Sequence, residues 1–456
     1  MIDEGNRQQL EEYDKKYLWH PFTQMKDYIN EKPLIINKGE GSYLYDIYGN
    51  KYLDGISSLW VTVHGHRCAV IDRAIMEQLI KVSHTTLLGL SHPSAIMLAK
   101  KLVEITPEGL NKVFYSDSGA TAVEIALKMA FQYWKQKDDG SSSEKNKFIS
   151  LTNAYHGDTI GAVSVGGIEL FHRTYSSLLF ETLTGEYPNC YRCSHEKVYP
   201  SCNMACLAQL EDLIENNSTV VSALIIEPLV QGAAGMLMSP PGFLSRVREL
   251  CSKYNILMIA DEVAVGFGRT GRMFACEHED VCPDIITLGK GITGGYLPLA
   301  ATIVTDEIYD AFLGEFDEFK TFFHGHTYTG NPLACSAALA NLDVFEREET
   351  LARLQEKIRV LENGLKRFAG LSHVGDIRQM GFMVGVELVH DKATREPFLP
   401  GDQIGVKVIM EARKRGLILR PLGDVIVMMP LLAIKLEELD ELIMITFDSI
   451  KAVTEI

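Results

Sequence analysis

The chain has few of the features that mark membrane or secreted proteins. Its 456 residues include only nine cysteines, which are widely spread, and one of its longest apolar runs, 425–434, contains Pro430. A membrane-spanning helix needs about 20 consecutive apolar residues, so we expect no bilayer span. Spread cysteines in a long chain indicate reduced thiols in a reducing compartment rather than a disulfide framework.

Positive charge is also scarce. Lys and Arg total 44 against 60 Asp and Glu, which gives a formal net charge of −16 at pH 7. Such a charge repels nucleic acid and anionic membranes alike. The first residues are acidic and polar, without the basic-then-apolar order of a secretory signal. We therefore expect a cytoplasmic protein that acts on small molecules and binds neither nucleic acid nor membrane.

The length and the hydrophobic patterning predict more than one domain. Residues 1–70 carry short apolar runs between turn residues, which favour antiparallel strands, and we assign them to a small domain. From 71 to 330, helix-period segments alternate with short β-rich runs, the pattern of a mostly parallel sheet wrapped by helices. Residues 331–456 are predicted to form a smaller α+β domain. The Gly/Ser-rich stretch 138–144 is predicted to be a mobile surface loop.

Two predicted strands each deliver a charged residue at or just past the carboxyl end. Asp261 follows the apolar run 256–260, and Lys290 follows the run 285–288 with a glycine on each side. Ligands of open α/β sheets bind at this edge. A desolvated lysine amine is partly neutral, as Schiff-base chemistry requires. An aspartate on the parallel neighbour can hold the protonated ring nitrogen of pyridoxal phosphate. Each residue alone is typical of a solvated loop, but the pair predicts such a site.

Two further segments fit the same interpretation. At 116–121, the sequence Ser-Asp-Ser-Gly-Ala-Thr turns a predicted strand into a helix, whose free N–H groups and dipole can seat a phosphate. Tyr155 follows another predicted strand and can stack on a planar cofactor. The alternative interpretations are an ordinary helix cap at 116–121 and a core role for Tyr155.

Over essentially its whole length, the chain resembles the class III pyridoxal-phosphate aminotransferases of fold type I. The resemblance is carried by Asp-Glu-Val at 261–263, Gly-Phe-Gly-Arg-Thr-Gly at 266–271 and Gly-Lys at 289–290. It implies a large α/β domain with a mostly parallel, seven-stranded sheet, and a smaller α+β domain built from both termini. It also implies pyridoxal 5′-phosphate as cofactor and a homodimer with shared active sites.

The same resemblance implies roles for individual residues. Lys290, Asp261 and Tyr155 would be catalytic, and Glu227 would lie near the cofactor. The cofactor would be bound by Gly119, Ala120, Tyr155, Asp261 and Lys290, with His326 and Thr327 reaching the phosphate of the other subunit. The substrate would contact Phe22, Trp60, Tyr155, Arg269, Lys290, Gly325 and Arg420. The planar fork of Arg420 suits a carboxylate, and no metal ligand is implied.

Shorter motifs narrow the resemblance to a biotin-biosynthetic branch of the family. They are Trp-His-Pro-Phe-Thr at 19–23, Ser-Ser-Leu-Trp at 57–60, His-Gly-His at 64–66, Tyr-His-Gly-Asp at 155–158, His-Gly-His-Thr at 324–327 and Arg-Pro at 420–421. That branch converts 8-amino-7-oxononanoate to 7,8-diaminononanoate. Phe22 stands where users of S-adenosylmethionine usually have tyrosine, and His326 where they tend to have proline. The amino donor, S-adenosylmethionine or lysine, is therefore left open.

Other interpretations compete with this one. An ω-amino-acid transaminase that uses pyruvate or 2-oxoglutarate would share the core motifs. The segment 266–271 also fits the dinucleotide pattern G-x-G-x-x-G, as in a nicotinamide-dependent oxidoreductase, although no convincing helix follows it. Cys190, Cys193, Cys202 and Cys206 form zinc-like pairs, but their spacing is looser than in usual zinc sites and favours reduced thiols or a disulfide.

Overall fold

A computed structural model describes residues 3–137 and 144–455, so most of the loop predicted at 138–144 lies outside the described residues. The α-helices are α1 (Glu4–Tyr17), α2 (Met25–Tyr28), α3 (Ser57–Trp60), α4 (Ala69–Lys81), α5 (Pro93–Ile105), α6 (Gly119–Gln136), α7 (Ile160–Ser164), α8 (Glu169–His172), α9 (Ala205–Asn217), α10 (Phe243–Lys253), α11 (Asp306–Asp310), α12 (Pro332–Arg347), α13 (Thr350–Leu365), α14 (Ile404–Lys414) and α15 (Leu436–Thr454). The strands are β1 (Ile36–Glu40), β2 (Tyr43–Asp46), β3 (Lys51–Asp54), β4 (Leu110–Ser116), β5 (Lys147–Leu151), β6 (Leu183–Gly185), β7 (Val221–Ile226), β8 (Val230–Gln231), β9 (Leu237–Met238), β10 (Leu257–Asp261), β11 (Ile285–Leu288), β12 (Ala300–Thr305), β13 (Val374–Met380), β14 (Met383–Leu388), β15 (Leu417–Ile418), β16 (Arg420–Leu422) and β17 (Val425–Met428).

The largest sheet has seven strands in the order β4-β12-β11-β10-β7-β5-β6. Strands β6, β5, β7, β10 and β11 run parallel, and β12 is antiparallel to both of its neighbours. The predicted mostly parallel sheet is thus confirmed. Strands β7 and β10 are buried along their whole length, which explains why they read as continuous apolar runs. Helix α6 packs on this sheet, and its Val123 and Ala126 share a hydrophobic cluster with Ile225 and Ile259.

Segments from both ends of the chain build the smaller sheets. One sheet has the order β1-β2-β3-β15, in which residues 417–418 pair in parallel with residues 53–54. Another, β13-β14-β17-β16, is antiparallel throughout. This arrangement confirms the predicted fold class, a large α/β domain with a smaller α+β domain from both termini. On this topology we propose 1–70 and 331–456 as the smaller domain and 71–330 as the larger one.

The N-terminal segment differs from the prediction of short strands alone. Residues 4–17 form α1, which Asp3 caps by accepting the Asn6 N–H at 3.0 Å. Lys15 and Lys16 lie in its last turn, where positive charge interacts favourably with the helix dipole. Only Asp14 of this helix is buried, so an apolar stripe, the usual signal of a helix, is missing. The predicted antiparallel strands occur further on, as β1, β2 and β3.

The described residues test the expectations about cysteine chemistry and membrane spans. All nine cysteines are free thiols. Cys190, Cys193, Cys202 and Cys206 line one small cavity with His195. Even so, no three His, Cys, Asp or Glu side chains within residues 3–137 and 144–455 are grouped as ligands for a metal ion. Across the same ranges, no helix has the length and apolar character needed to cross a membrane.

Candidate active site

A cavity of about 460 Å³ opens at the carboxyl edge of the seven-stranded sheet. Seven residues that the sequence singled out line it, namely Trp60, Gly119, Ala120, Tyr155, Glu227, Asp261 and Lys290. They come from segments that are far apart in sequence, and parallel strands bring them to one edge. The volume is within the range of cavities that hold a cofactor or a drug-sized ligand. This cavity is therefore the candidate active site.

Asp261 is the last residue of β10, and only 4% of it is exposed. Its Oδ2 lies 2.7 Å from Nδ1 of His156. Its Oδ1 accepts hydrogen bonds from the Thr287 hydroxyl at 3.2 Å and the Val263 N–H at 3.1 Å. Thr287 is the register partner of Asp261 on the parallel strand β11, so the predicted pairing of these strands is confirmed. Contacts to both oxygens fix the orientation of the carboxylate.

Lys290 lies two residues beyond β11, at the start of a 3-10 turn, Lys290–Thr293. Its side-chain nitrogen is 5.0 Å from the centre of the Trp60 ring. Burial lowers the pKa of Lys290, while the nearby carboxylates of Asp261 and Glu227 raise it. Because burial is the larger effect, the amine is neutral more often than a lysine in water. A neutral amine can act as a nucleophile and as a base.

Glu227 supports the loop that carries Tyr155. Its carboxylate is buried and accepts the N–H of Tyr155 and the N–H of Gly232, both at 3.0 Å. Burial raises the pKa of Glu227 to about 7; the positive charge of protonated His156 would lower it and the charge of Asp261 raises it. The Tyr155 hydroxyl donates to Asp158 at 2.7 Å, and burial raises the pKa of this phenol. Tyr155 is thus held at both its backbone and its side chain.

The amino end of α6 forms a seat for an anion. Ser118 caps the helix, and its own N–H donates to the Thr121 hydroxyl at 3.0 Å. The N–H groups of Gly119 and Ala120 belong to the first helical turn, which has no intrahelical acceptors for them. A Cβ atom on Gly119 would lie 2.4 Å from Cγ1 of Val263, so only glycine lets the helix start this close to the Asp261 loop. Backbone N–H groups and the helix dipole together suit a phosphate.

The cavity fits pyridoxal phosphate in each of its parts. Gly119 and Ala120 would hold the phosphate, and the buried Asp261 would face the ring nitrogen. Lys290 would supply the amine for the aldehyde carbon, and Tyr155 would be the aromatic neighbour of the ring. His156, whose Nδ1 faces Asp261, keeps a buried Nε2 without a hydrogen-bond partner among the described residues. The donor set is that of a pyridoxal-phosphate enzyme.

An arginine and three aromatic rings form a second feature next to the cavity: Tyr155 lines the cavity, and Arg420, Phe22 and Phe171 lie beside it. The guanidinium carbon of Arg420 is 5.9 Å from the centre of the Phe22 ring. Phe171 lies between the other rings, 5.6 Å from Phe22 and 6.3 Å from Tyr155. The half-buried guanidinium of Arg420 makes no hydrogen bond or ion pair with residues 3–137 or 144–455. Phe171 was missed in the sequence because a single aromatic residue in a four-residue helix has no pattern.

Arg269 lies outside the cavity wall. It is 1% exposed, and its guanidinium donates to the Ser57 hydroxyl at 3.2 Å, the Thr62 carbonyl at 2.9 Å and the Pro430 carbonyl at 2.8 Å. Burial lowers the pKa of Arg269 to about 10. Three of its donors are therefore engaged by the segment that carries Trp60 and by the chain after β17. The structure places this arginine in support of the cavity wall.

The segment 324–327 lies apart from Lys290. Gly325 and His326 line a different cavity, together with Leu88 and Ile96, and Thr327 is exposed. His326 Nδ1 is 3.4 Å from a carboxylate oxygen of Asp117, and its Nε2 is 3.2 Å from that of His324. These three predicted residues therefore do not reach the cavity of their own chain.

The fold and the cavity define a pyridoxal-phosphate-dependent enzyme of fold type I. The family model of the class-III aminotransferases matches residues 25–450, and the chain belongs to this family. The predicted family, the cofactor and the aminotransferase class are thus confirmed. In place of the helix that a dinucleotide site needs, the segment 266–271 leads to a 3-10 helix at Ala275–Glu279. The oxidoreductase interpretation is not supported.

Individual relatives cover nearly the whole chain. The chain is 60% identical over 435 residues to the adenosylmethionine-8-amino-7-oxononanoate aminotransferase of Aquifex aeolicus (strain VF5), with 95% of each chain covered. It is similar to the crystal structure of the enzyme of that name from Methanocaldococcus jannaschii DSM 2661, with a TM-score of 0.93, 48% identity and 98% and 99% coverage. It is also similar to the omega transaminase from Pseudomonas jessenii in complex with PMP, with a TM-score of 0.93, 30% identity and 98% coverage of both chains.

Proposed function

We propose that the protein transfers an amino group from S-adenosylmethionine to the ketone of 8-amino-7-oxononanoate, giving 7,8-diaminononanoate for biotin biosynthesis. The observation that carries this proposal is the 60% identity, over 95% of both chains, to a relative named for these two substrates. The relative from which the solved structure comes has the same name and 48% identity. The arrangement of the cavity is consistent with both substrates.

Different residues of the cavity would carry out different parts of the transamination reaction. When bound, pyridoxal phosphate supplies an aldehyde that takes up the amino group and a ring that draws electrons from the carbon that loses a proton. Gly119 and Ala120 would hold the phosphate with backbone N–H groups. Asp261 would keep the ring nitrogen protonated, and Tyr155 would lie against the ring. Lys290, whose pKa burial lowers, would move the proton as a base and then as an acid.

Arg420 would bind the carboxylate that both proposed substrates carry. Its guanidinium is half-buried, and burial lowers its pKa while the Tyr155 phenolate charge would raise it. A guanidinium that has left bulk water and lacks a hydrogen-bond or ion-pair partner among the described residues gains from an incoming carboxylate. Phe22 and Phe171 would pack against the rest of the substrate. The cavity would thus orient a carboxylate at one end and the reacting carbon at the other.

The aromatic pair of Phe22 and Phe171 supports S-adenosylmethionine as the donor. Their ring centres are 5.6 Å apart in an edge-on arrangement. Aromatic faces can stack on a purine and can attract the positive sulfonium of this donor. The missing hydroxyl at Phe22 removes one hydrogen bond but leaves the aromatic surface. Lysine also has a carboxylate for Arg420 and a positive ammonium that the rings can attract, but it has no purine to stack on them.

A half-reaction experiment tests the donor and the acceptor separately. The yellow holoenzyme is mixed with S-adenosylmethionine, with lysine or with a simple ω-amine, and the loss of its visible absorbance is followed. The donor is removed, and 8-amino-7-oxononanoate, pyruvate or 2-oxoglutarate is added. We expect loss of colour with S-adenosylmethionine and its return with 8-amino-7-oxononanoate. The ping-pong scheme of a transaminase predicts both steps.

The other outcomes of this experiment contradict parts of the proposal. Loss of colour with lysine and none with S-adenosylmethionine would replace the donor but keep the acceptor. If only ω-amines remove the colour and only pyruvate or 2-oxoglutarate restores it, the protein is an ω-amino-acid transaminase. Lys290→Ala is the control, because it should lose the absorbance of the lysine-bound cofactor and the turnover together.

We also propose a homodimer in which each subunit completes the site of the other. Gly325, His326 and Thr327 do not reach the Lys290 cavity of their own chain, and the cavity they border has exposed apolar walls. Leu88 is 88% exposed and Ile96 is 57% exposed. A contiguous apolar surface of this kind is stabilised when a second copy covers it. In the dimer, Thr327 would contact the phosphate bound in the other subunit.

Mixed dimers test this sharing of sites. Lys290→Ala and Thr327→Asp subunits are each expected to be inactive, the second because a carboxylate would face a phosphate. After mixing and exchange, a hybrid dimer would hold one site with an intact lysine and an intact threonine. Activity should then rise to about a quarter of the wild-type value, because half of the dimers are hybrids with one working site. Continued inactivity in hybrids shown to form would refute shared sites.

A cytoplasmic location is the last part of the proposal. All nine thiols are free, which fits a reducing compartment. Separation of cell fractions, followed by immunodetection, tests it. Recovery in the membrane or secreted fraction would contradict it.

A further inference from the structure

The turn that carries Lys290 has an unfavourable backbone conformation. Lys290 has a φ of +42°, in the left-handed region that favours glycine. Such a residue stays in place only if its surroundings hold it there. The turn ends at Gly294, whose N–H donates to the Gly291 carbonyl at 3.0 Å. Ile292 is 0% exposed, so its carbonyl needs a donor from inside the protein.

Asn341 of α12 supplies the missing donors. Its side-chain nitrogen donates to the Gly291 carbonyl at 3.0 Å and to the Ile292 carbonyl at 3.1 Å. Asn341 is 0% exposed, so water does not compete for these bonds. Its Oδ1 is buried and has no hydrogen-bond partner among the described residues. The opposite amide orientation would place that oxygen against two carbonyls, so the two bonds also fix the amide.

His64 connects the same asparagine to the segment 57–63, which carries Trp60 and is called the Trp60 wall below. Its Nε2 lies 3.1 Å from the Asn341 main-chain carbonyl, to which it donates in the tautomer with hydrogen on Nε2. The Val63 N–H donates to the Gly294 carbonyl at 3.3 Å. The Trp60 wall, the Lys290 turn and α12 therefore meet at Asn341. A change there is expected to move Lys290 relative to Trp60.

We propose that Asn341 is a positioning residue for Lys290, because its amide holds the two carbonyls that follow the lysine and so sets the place of the amine in the cavity. The proposal rests on the aminotransferase chemistry of the family and not on the identity of either substrate. It can therefore fail while the proposed substrates hold, and the reverse is also possible. Asn341 touches no reacting atom and acts through Lys290.

The test replaces Asn341 by leucine, which has a similar volume and no donor. The half-reaction rate of the holoenzyme with saturating amino donor should fall by about 10- to 100-fold, since a shift of about 1 Å can cost this much. The KM for the donor should stay within about 3-fold, because the substrate contacts lie elsewhere. The pH at which the visible absorbance changes should also move, because it reports the surroundings of the Lys290 nitrogen.

A matched control separates this effect from simple loss of stability. Thr446 is 0% exposed, and its hydroxyl donates to the Leu442 carbonyl at 2.7 Å within α15, in the smaller domain. Thr446→Val removes this buried hydrogen bond but should leave the half-reaction rate and the pH of the absorbance change as in the wild type. If Asn341→Leu does not fold, Asn341→Asp, with the same shape and no amide donor, replaces it.

Two results would overturn the proposal. One is a folded Asn341 variant with a half-reaction rate within about 2-fold of wild type and an unmoved absorbance titration. The other is an equal loss of rate and an equal titration shift in Thr446→Val. A slower half-reaction with a moved titration in the Asn341 variant alone supports it.

Discussion

Gly119→Ala is a direct test of how the phosphate seat is built. The new Cβ atom would lie 2.4 Å from Cγ1 and 3.0 Å from Cγ2 of Val263. Carbon atoms in contact are normally about 3.5–4.0 Å apart, so Val263 or the start of α6 must move by roughly 1 Å. Val263 lies two residues after Asp261 and bonds to it through its N–H. The strain therefore acts on two parts of the cofactor site at once.

The expected free-energy cost of Gly119→Ala follows from two opposing effects. Overpacking a tight contact costs about 1–3 kcal/mol, while alanine is favoured over glycine in a helix by about 1 kcal/mol. The net loss is therefore about 0–2 kcal/mol, with a central value of about 1 kcal/mol, and it should appear in cofactor binding because the seat moves relative to Asp261. A tenfold change in a dissociation constant corresponds to about 1.4 kcal/mol. We expect the Kd for pyridoxal phosphate to rise by about 5-fold.

The measurement is equilibrium binding of pyridoxal phosphate to the cofactor-free protein, repeated in a double-mutant cycle with Val263→Ala. This second change removes both methyl groups that the new Cβ meets, so the double variant should bind within about 3-fold of Val263→Ala alone. Gly5→Ala in α1 is the control, because its Cβ would make only an ordinary contact at 3.6 Å. Additive losses in the cycle would refute the steric explanation.

Three further predictions concern single side chains. Arg420→Ala should lower kcat/KM for carboxylate-bearing substrates by about 100-fold and leave a simple amine unaffected, as charged hydrogen bonds of this kind are worth about 1.5–3 kcal/mol each; equal losses would contradict it. Burial lowers the pKa of His64 to about 4 from an ordinary 6.5, so its contribution to stability is complete above pH 6.5 and is lost as the pH falls toward 4, by at most about 3 kcal/mol. The free energy of unfolding should therefore depend less on pH over this range in His64→Gln than in the wild type, which unfolding measured at several pH values tests. Phe22→Leu should raise the KM for S-adenosylmethionine by about 5-fold, the loss of one aromatic contact, and change that for lysine little.

The parts of the site that the sequence predicts lie where strands end. Asp261 and Lys290 could be located because β10 and β11 are fully buried, so their apolar runs have clear ends and a charged residue after each is conspicuous. The start of α6 could be located because a strand passes into a helix through small residues. In each case the position along one segment is enough, since parallel strands bring their carboxyl ends to one edge.

The other parts depend on contacts that no local pattern contains. Asn341 looks like one polar residue on a helix, and its partners, Gly291 and Ile292, are about 50 residues away. Arg269 stands in a motif and was expected to contact substrate, yet its guanidinium donates to the segment around Ser57 and Thr62. Such roles follow from how α12 and the Trp60 wall pack, which periodicity does not determine.

Each residue of the Asp-Glu-Val sequence at 261–263 has its own structural role at the cavity. Asp261 presents the carboxylate, and the buried Glu262 accepts the N–H groups of Ala275 and Cys276 at 2.9 Å and 2.8 Å, which fixes the loop after β10. Val263 packs where a Cβ on Gly119 or on Gly289 would approach its Cγ1, at 2.4 Å and 3.2 Å. One short segment therefore sets the distance from the aspartate to the phosphate seat and to the Lys290 turn. A larger residue than valine would push these parts away from each other, and a smaller one would leave them without a common contact.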